Sequence, residues 1–301
     1  MIPFDKIDLS QREKYNCYLQ DGTERGCEYS FANLYLWGRQ QTAEVGGFLT
    51  IFSQFEKRSL YPFPVGQGDR KQVLDAIIHD ARARGIVCRI SGMNAEQCMA
   101  LEELYPGQFR FYPDRNSCDY VYDIEDLATL KGRKYQKKRN HLNRFRENHP
   151  DCRLQPITAD NLAAVMEMAE KWYAAKQQEN PQEDYHLEKK ALSRAFRHMD
   201  ELGIEGAVLT ENGEILAMTM ASRLSEQTFD IHFEKALNEE AYVAINQAFA
   251  AHLHSKYPEV KYLDREDDMG IPGLRKAKLS YHPHHMVVKF WARLWEDSDE
   301  D

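Results

Sequence analysis

Apolar positions along the first 120 residues alternate between two periods. GGFLTIFS (46–53) and RSLYPFPV (58–65) read as neighbouring strands, rich in β-branched and aromatic residues. In DRKQVLDAIIHDARARG, Val73, Leu74, Ile77, Ile78 and Ala81 fall on one helical face, and Gly85 marks the stop. IVCRISG predicts the next strand. NAEQCMALEELYPG predicts a short helix with Asn94 as cap and Gln97 three residues on. FRFYPDRNSCDYVYD is extended in character. The second half begins with two amphipathic helices, TADNLAAVMEMAEKWYAAKQQ and LEKKALSRAFRHMDELG, around a polar loop. IEGAVLTENGEILAMTMASRL predicts a hairpin turning at Asn212-Gly213. TFDIHFEKA predicts a third strand, EEAYVAINQAFAAHLHSKYP a helix ended by Pro258, and VKYLDREDD a strand with an acidic exit. IPGLRKAKLS predicts a short helix with Pro272 in its first turn, and HHMVVKFWARLW one last strand.

Both halves thus run strands, turn, helix, strand, helix, strand, without evident sequence identity between them. The fold class expected is α/β of the α+β kind: two tandem domains, 1–150, ending in a basic bridging helix (131–147), and 151–301, the expected catalytic one, each a mixed sheet flanked by helices. A chain of 301 residues suits two domains of about 150, and 43% apolar content supports a real core. No run approaches the roughly 18 uncharged apolar residues of a membrane span, and the N-terminus lacks the apolar segment of a signal peptide. Cys17, Cys27, Cys88, Cys98, Cys118 and Cys152 form no CxxC and no zinc spacing with histidine. A cytoplasmic protein with free thiols and no metal is the expectation, with peripheral membrane attachment as a further option. The EDSDED tail is expected to be solvated.

Charge sharpens the picture in one place. KGRKYQKKRNHLNRFR (131–146) holds eight Lys or Arg and no acid in a chain of net charge −9. As a helix it offers only a narrow stripe of Tyr135, Leu142 and Phe145. Lys134, Lys137, Lys138, Arg139 and Arg144 could meet phosphates, on tRNA or another anionic partner. They could equally form a solvated linker helix paired to acids elsewhere. DNA is not expected.

Three stretches, DIEDLATLKGRKYQKKRNHLNRF (123–145), HFEKALNEEAYVAINQAF (232–249) and YLDREDDMGIPGLRKAKLSYHP (262–283), carry a resemblance. The chain resembles an uncharacterised bacterial family related to the C-terminal catalytic domain of phosphatidylglycerol lysyltransferases, itself similar to the Fem aminoacyltransferases. The order of elements is that of GCN-five-related N-acetyltransferases, the GNAT fold. The resemblance implies two tandem GNAT-like domains and transfer of an acyl or aminoacyl group. It implies no permanently bound cofactor, with acyl-CoA or aminoacyl-tRNA as donor substrate. The lysyltransferases carry a membrane-spanning part ahead of this module. These 301 residues show none, which leaves an anionic lipid acceptor open.

Such chemistry needs an anchored donor, a base for the acceptor, oxyanion stabilisation and a proton for the leaving group. VGQGD (65–69) could bring backbone amides to a phosphate through Gly66 and Gly68, or be a plain turn. EKALNEEAY (234–242) lacks the Gly-rich signature of acetyl-CoA users, which favours another donor such as aminoacyl-tRNA. Asp230, His232 and Glu234 alternate on one strand and should share a face. Glu234 is the candidate base, with His232 beside it. The alternative for Glu234 is a bridge to Arg223. Asp264, Arg265, Glu266 and Asp267 end the next strand, where ligands of open sheets gather. Arg265 suits an anion and the acids an amine. Arg275, Lys276 and Lys278 follow on a helix, and Tyr281 is positioned like the proton-donating tyrosine of GNAT enzymes. A non-catalytic tandem pair sensing RNA or an anionic metabolite is the competing reading.

Overall fold

The computed structural model describes residues 1–19, 25–55 and 58–295. The EDSDED tail lies outside them. The chain forms two compact units. One comprises Met1–Asp119, Asp267–Gly270 and the chain from Val287; the other comprises Tyr120–Glu266 and Ile271–Met286. The boundary expected at 150 therefore falls inside the second unit, and the chain crosses between units more than once. Hydrophobic periodicity is local and does not reveal such returns.

In the first unit the sheet runs Asp5–Lys6, Gln40–Val45, Phe48–Phe55, Arg58–Pro62, Arg89–Met93, Phe290–Leu294, Phe109–Pro113, with Val65–Gly66 paired to Phe48–Phe55. Arg58–Pro62 and Arg89–Met93 are parallel, joined through the helix Arg70–Ala83. Asp69 caps that helix, and Val73, Leu74, Ile77, Ile78 and Ala81 are all buried. Asn94 and Gln97 form the expected capping box.

The second unit repeats the plan. Its sheet runs His285–Val287, Asp119–Asp123, Tyr262–Asp264, Thr228–Ala236, Glu214–Ser225, Ile204–Glu211, Arg153–Pro156. Asn212 and Gly213 turn the hairpin with φ of 51° and 85°, as a type I′ turn requires. Thr228–Ala236 and Tyr262–Asp264 are parallel, joined through Glu239–Lys256, whose N-terminus Asn238 caps. Ala244, Ile245, Phe249 and Leu253 of that helix pack with Ala217, Ala221, Phe229 and Ile231 of the sheet. Each large side chain so buried contributes about 1.5–3 kcal/mol.

Two predicted elements change. The basic stretch is a 3₁₀ turn, Arg133–Tyr135, and a helix, Gln136–Asn148. Tyr135, Leu142 and Phe145 are buried in the second unit's core, so this helix is part of that unit rather than a bridge. The last predicted strand is two strands: His285–Val287 pairs in one sheet and Phe290–Leu294 in the other. Among the described residues no helix is long and apolar enough to cross a membrane, and all six cysteines are free.

Candidate functional site

A β-bulge on Thr228–Ala236 organises the polar residues of the second unit. Phe233 faces Met220 and Ile231 faces Ala221, which leaves His232 as the extra residue. Alternation therefore slips by one, and Glu234 points to the opposite sheet face from Asp230. The expected row of three divides into two groups.

The first group centres on Glu234, beside Thr219 on the next strand. Its carboxylate accepts from Arg265 Nη2 at 2.7 Å and from Asn246 Nδ2 at 3.4 Å. Arg223, the other candidate partner, instead pairs with Glu259 at 2.9 Å. The Arg265 guanidinium lies 5.0 Å from the Tyr281 ring centroid and 5.7 Å from that of Tyr122. Burial opposes its charge, and Glu234 with the surrounding tyrosines outweighs that, holding the guanidinium above its ordinary value. Lys138 Nζ sits 3.8 Å from the Tyr281 centroid. Burial, reinforced by Arg265, pushes its ammonium down to about 8. Burial pushes the Tyr281 hydroxyl up, so it keeps its proton near neutrality. Arg265 Nη1, Asn246 Oδ1 and Thr219 Oγ1 are buried with no hydrogen-bond partner among the described residues. Each such group costs about 1–3 kcal/mol unless something satisfies it, and all three border Glu234.

The second group is Ser222, Asp230, His232 and Glu266. His232 Nε2 lies 2.8 Å from Ser222 Oγ, and Nδ1 lies 3.4 Å from both Asp230 Oδ2 and Glu266 Oε1. Asp264, fully buried, accepts from the Glu266 amide at 2.8 Å.

The remaining candidates divide by location. Lys278 donates to the carbonyls of Arg265 and Glu266, so it braces that loop. Arg275 is half-buried and Lys276 exposed on the Pro272–Leu279 helix. Asp267 belongs to the first unit. The cations of the 131–146 stretch are largely committed: Lys134 pairs with Asp126 at 2.7 Å and Arg144 with Glu240 at 3.0 Å, and Arg139 donates to the Leu130 and Gly132 carbonyls. Lys137 is exposed. Gly66 and Gly68 have φ of 146° and 149°. A Cβ there would lie 2.3 Å from the Gly47 carbonyl oxygen and 2.4 Å from that of Gly46, so close packing against the protein's own turn accounts for both glycines.

Two buried lysines escaped the sequence reading. Lys235, next to Glu234 on the strand Thr228–Ala236, pairs with Glu188 at 2.6 Å and lies 3.8 Å from the Trp172 and 4.4 Å from the Tyr173 ring centroid. In the first unit Lys289 bridges Glu28 at 2.5 Å and Asp119 at 2.8 Å. A lysine inside the hydrophobic run MVVKFWARLW is the signal that could have found Lys289.

The pattern of the phosphatidylglycerol lysyltransferase C-terminal family matches residues 20–293. The chain belongs to that family. A solved Bacteroides thetaiotaomicron protein of unknown function is 37% identical, with TM-score 0.91 over 98% of this chain and all of that one. The C-terminal domain of a putative lysylphosphatidylglycerol synthetase from Agrobacterium fabrum shares 12% identity at TM-score 0.67, covering 97% of this chain and 94% of that one. A tandem GNAT protein from the clavulanic acid biosynthesis pathway shares 8% at TM-score 0.50, covering 99% of this chain and all of that one. These likenesses define the fold as tandem GNAT-like. An uncharacterised protein of Mycoplasmoides gallisepticum is 24% identical over 60% of this chain, and the match spans 57% of that relative's length. Family membership and fold place the chain, at that coarse level, with transferases.

Proposed function

We propose that this chain is an acyl- or aminoacyltransferase whose reaction centre is the Glu234, Arg265, Tyr281 and Lys138 group of the second unit. The observation that carries the reading is Arg265: one arm is held by Glu234, and Nη1 is a buried donor that a ligand oxygen would satisfy. The donor is acyl-CoA or aminoacyl-tRNA, and the acceptor an amine or hydroxyl.

In this reading Glu234, directly or through a water, takes the acceptor's proton as its nitrogen or oxygen bonds to the acyl carbon. Arg265 and Lys138 face the developing oxyanion and neighbouring phosphate. Tyr281 gives its proton to the departing sulfur or oxygen as that bond breaks. General acid–base steps of this kind are worth about 10²–10⁴ in rate. The test supplies radiolabelled acetyl-CoA and lysyl-tRNA to the purified chain with small amines and phosphatidylglycerol vesicles. Transfer from one donor, reduced about 10²-fold or more in Glu234→Gln and in Tyr281→Phe, is the expected result. Transfer unchanged in both variants overturns the assignment.

The tight Glu234–Arg265 pair also favours a second reading, a binding protein that senses an anionic metabolite or RNA without turnover. Saturable donor binding weakened by Arg265→Met, with no transfer to any acceptor, is its signature.

A further inference from the structure

We propose that Asp230, His232 and Glu266 form a binding site for a divalent transition-metal ion of the zinc or manganese kind. One imidazole nitrogen and two carboxylate oxygens lie within 4.8 Å of one another. The His232 and Asp230 side chains are 2% and 0% exposed, and Glu266 at 19% forms the open rim through which an ion would enter.

Distances distinguish an ion site from a plain ion pair. A protonated imidazole bonded to a carboxylate contracts to about 2.7–2.9 Å. Here Nδ1 stands 3.4 Å from both carboxylates at once. Two donors each about 2.1 Å from a shared tetrahedral ion lie about 3.4 Å apart. The other ring nitrogen supports the same reading. Nε2 lies 2.8 Å from Ser222 Oγ, and in the tautomer that donates there Nδ1 keeps its lone pair toward the carboxylates. This is the outer hydrogen bond that metal-bound histidines use to set their tautomer. Three protein donors leave one position for water or a substrate oxygen, the pattern of catalytic rather than closed structural sites. The nitrogen donor favours zinc or manganese over magnesium, which prefers oxygen alone. The bulge places Asp230 on the sheet face opposite Glu234, so the proposal does not rest on Glu234 acting as the base.

The test titrates the EDTA-stripped full chain with zinc, manganese and magnesium by calorimetry. We expect one site per chain for zinc or manganese and at least tenfold weaker binding of magnesium. Glu266→Gln, which keeps the side chain's shape, should weaken the tight ion at least tenfold. Ser222→Ala should weaken it about 10–100-fold, and His232→Ala should abolish it. His284 and His285, whose Nδ1 atoms lie 2.8 Å apart, are the surface competitor, and His284→Ala/His285→Ala should bind as the unaltered chain does. Cobalt loading of the unaltered chain gives a readout independent of variant folding, with visible bands expected for a site of low coordination number. No stoichiometric binding, binding indifferent to Glu266→Gln and His232→Ala, or binding lost with the His284/His285 pair each overturns the proposal.

Discussion

Lys138 is the residue whose replacement reports most directly on the candidate centre. Its ammonium falls from an ordinary 10.5 to about 8, chiefly through burial beside Tyr281. That difference is about 3 kcal/mol of disfavoured charge. Part of the side chain still meets water, so screening reduces the observable cost to roughly 1–2 kcal/mol. Lys138→Met keeps the stem and removes the charge, and should stabilise the chain at pH 7 by that amount. The sign follows from proton counts. Between about pH 8 and 10.5 the unfolded lysine holds a proton that the folded one has released. Stability of the unaltered chain therefore rises with pH through that window relative to the variant. Below about 8 the full penalty is present; near 10.5 the difference closes. Urea denaturation followed by circular dichroism at pH 7 and pH 10 measures both ends. A variant less stable at pH 7 would refute the reasoning, because the ring contact with Tyr281 would then outweigh desolvation.

Glu234→Gln should cost about 3–5 kcal/mol by leaving the Arg265 charge buried alone, and Glu234→Gln/Arg265→Met should recover most of it in a denaturation cycle. Glu188→Ala should destabilise by a similar amount through Lys235, with a shift in Trp172 emission as the ammonium leaves its ring; unchanged emission would disprove the caged geometry. If tRNA binds the 131–146 stretch, filter binding against salt should give a shallow slope of about −1 to −3, since acids already hold Lys134 and Arg144. Lys137→Gln should flatten that slope by about one unit.

Local chemistry was legible wherever the determinant lies within a few residues. The Asn212-Gly213 turn, the Asn94 and Asn238 caps and the buried face of Arg70–Ala83 all follow from adjacent side chains. What was missed depends on partners distant in sequence. Alternation predicted a common face for Asp230 and Glu234, but the bulge is set by how the neighbouring strand pairs, and it reverses the parity. HHMVVKFWARLW reads as one apolar run because both of its sheets demand the same residue types. Glu234 and Arg265 were each named as candidates, yet 31 positions separate them and nothing in either stretch announced that they hold each other. The narrow stripe on the basic helix looked too small to bury, and proved sufficient because Tyr135, Leu142 and Phe145 enter a core built by other elements.

Phe290–Leu294 lies between Arg89–Met93 and Phe109–Pro113 in the first unit's sheet. A ribosome delivers those two neighbours about 180 to 200 residues before the strand that joins them. During synthesis the unit made first therefore waits with two unpaired strand edges, while the Tyr120–Glu266 segment can already collapse around its own core. The last strand acts as a closing key, and until it arrives those edges are open to mispairing.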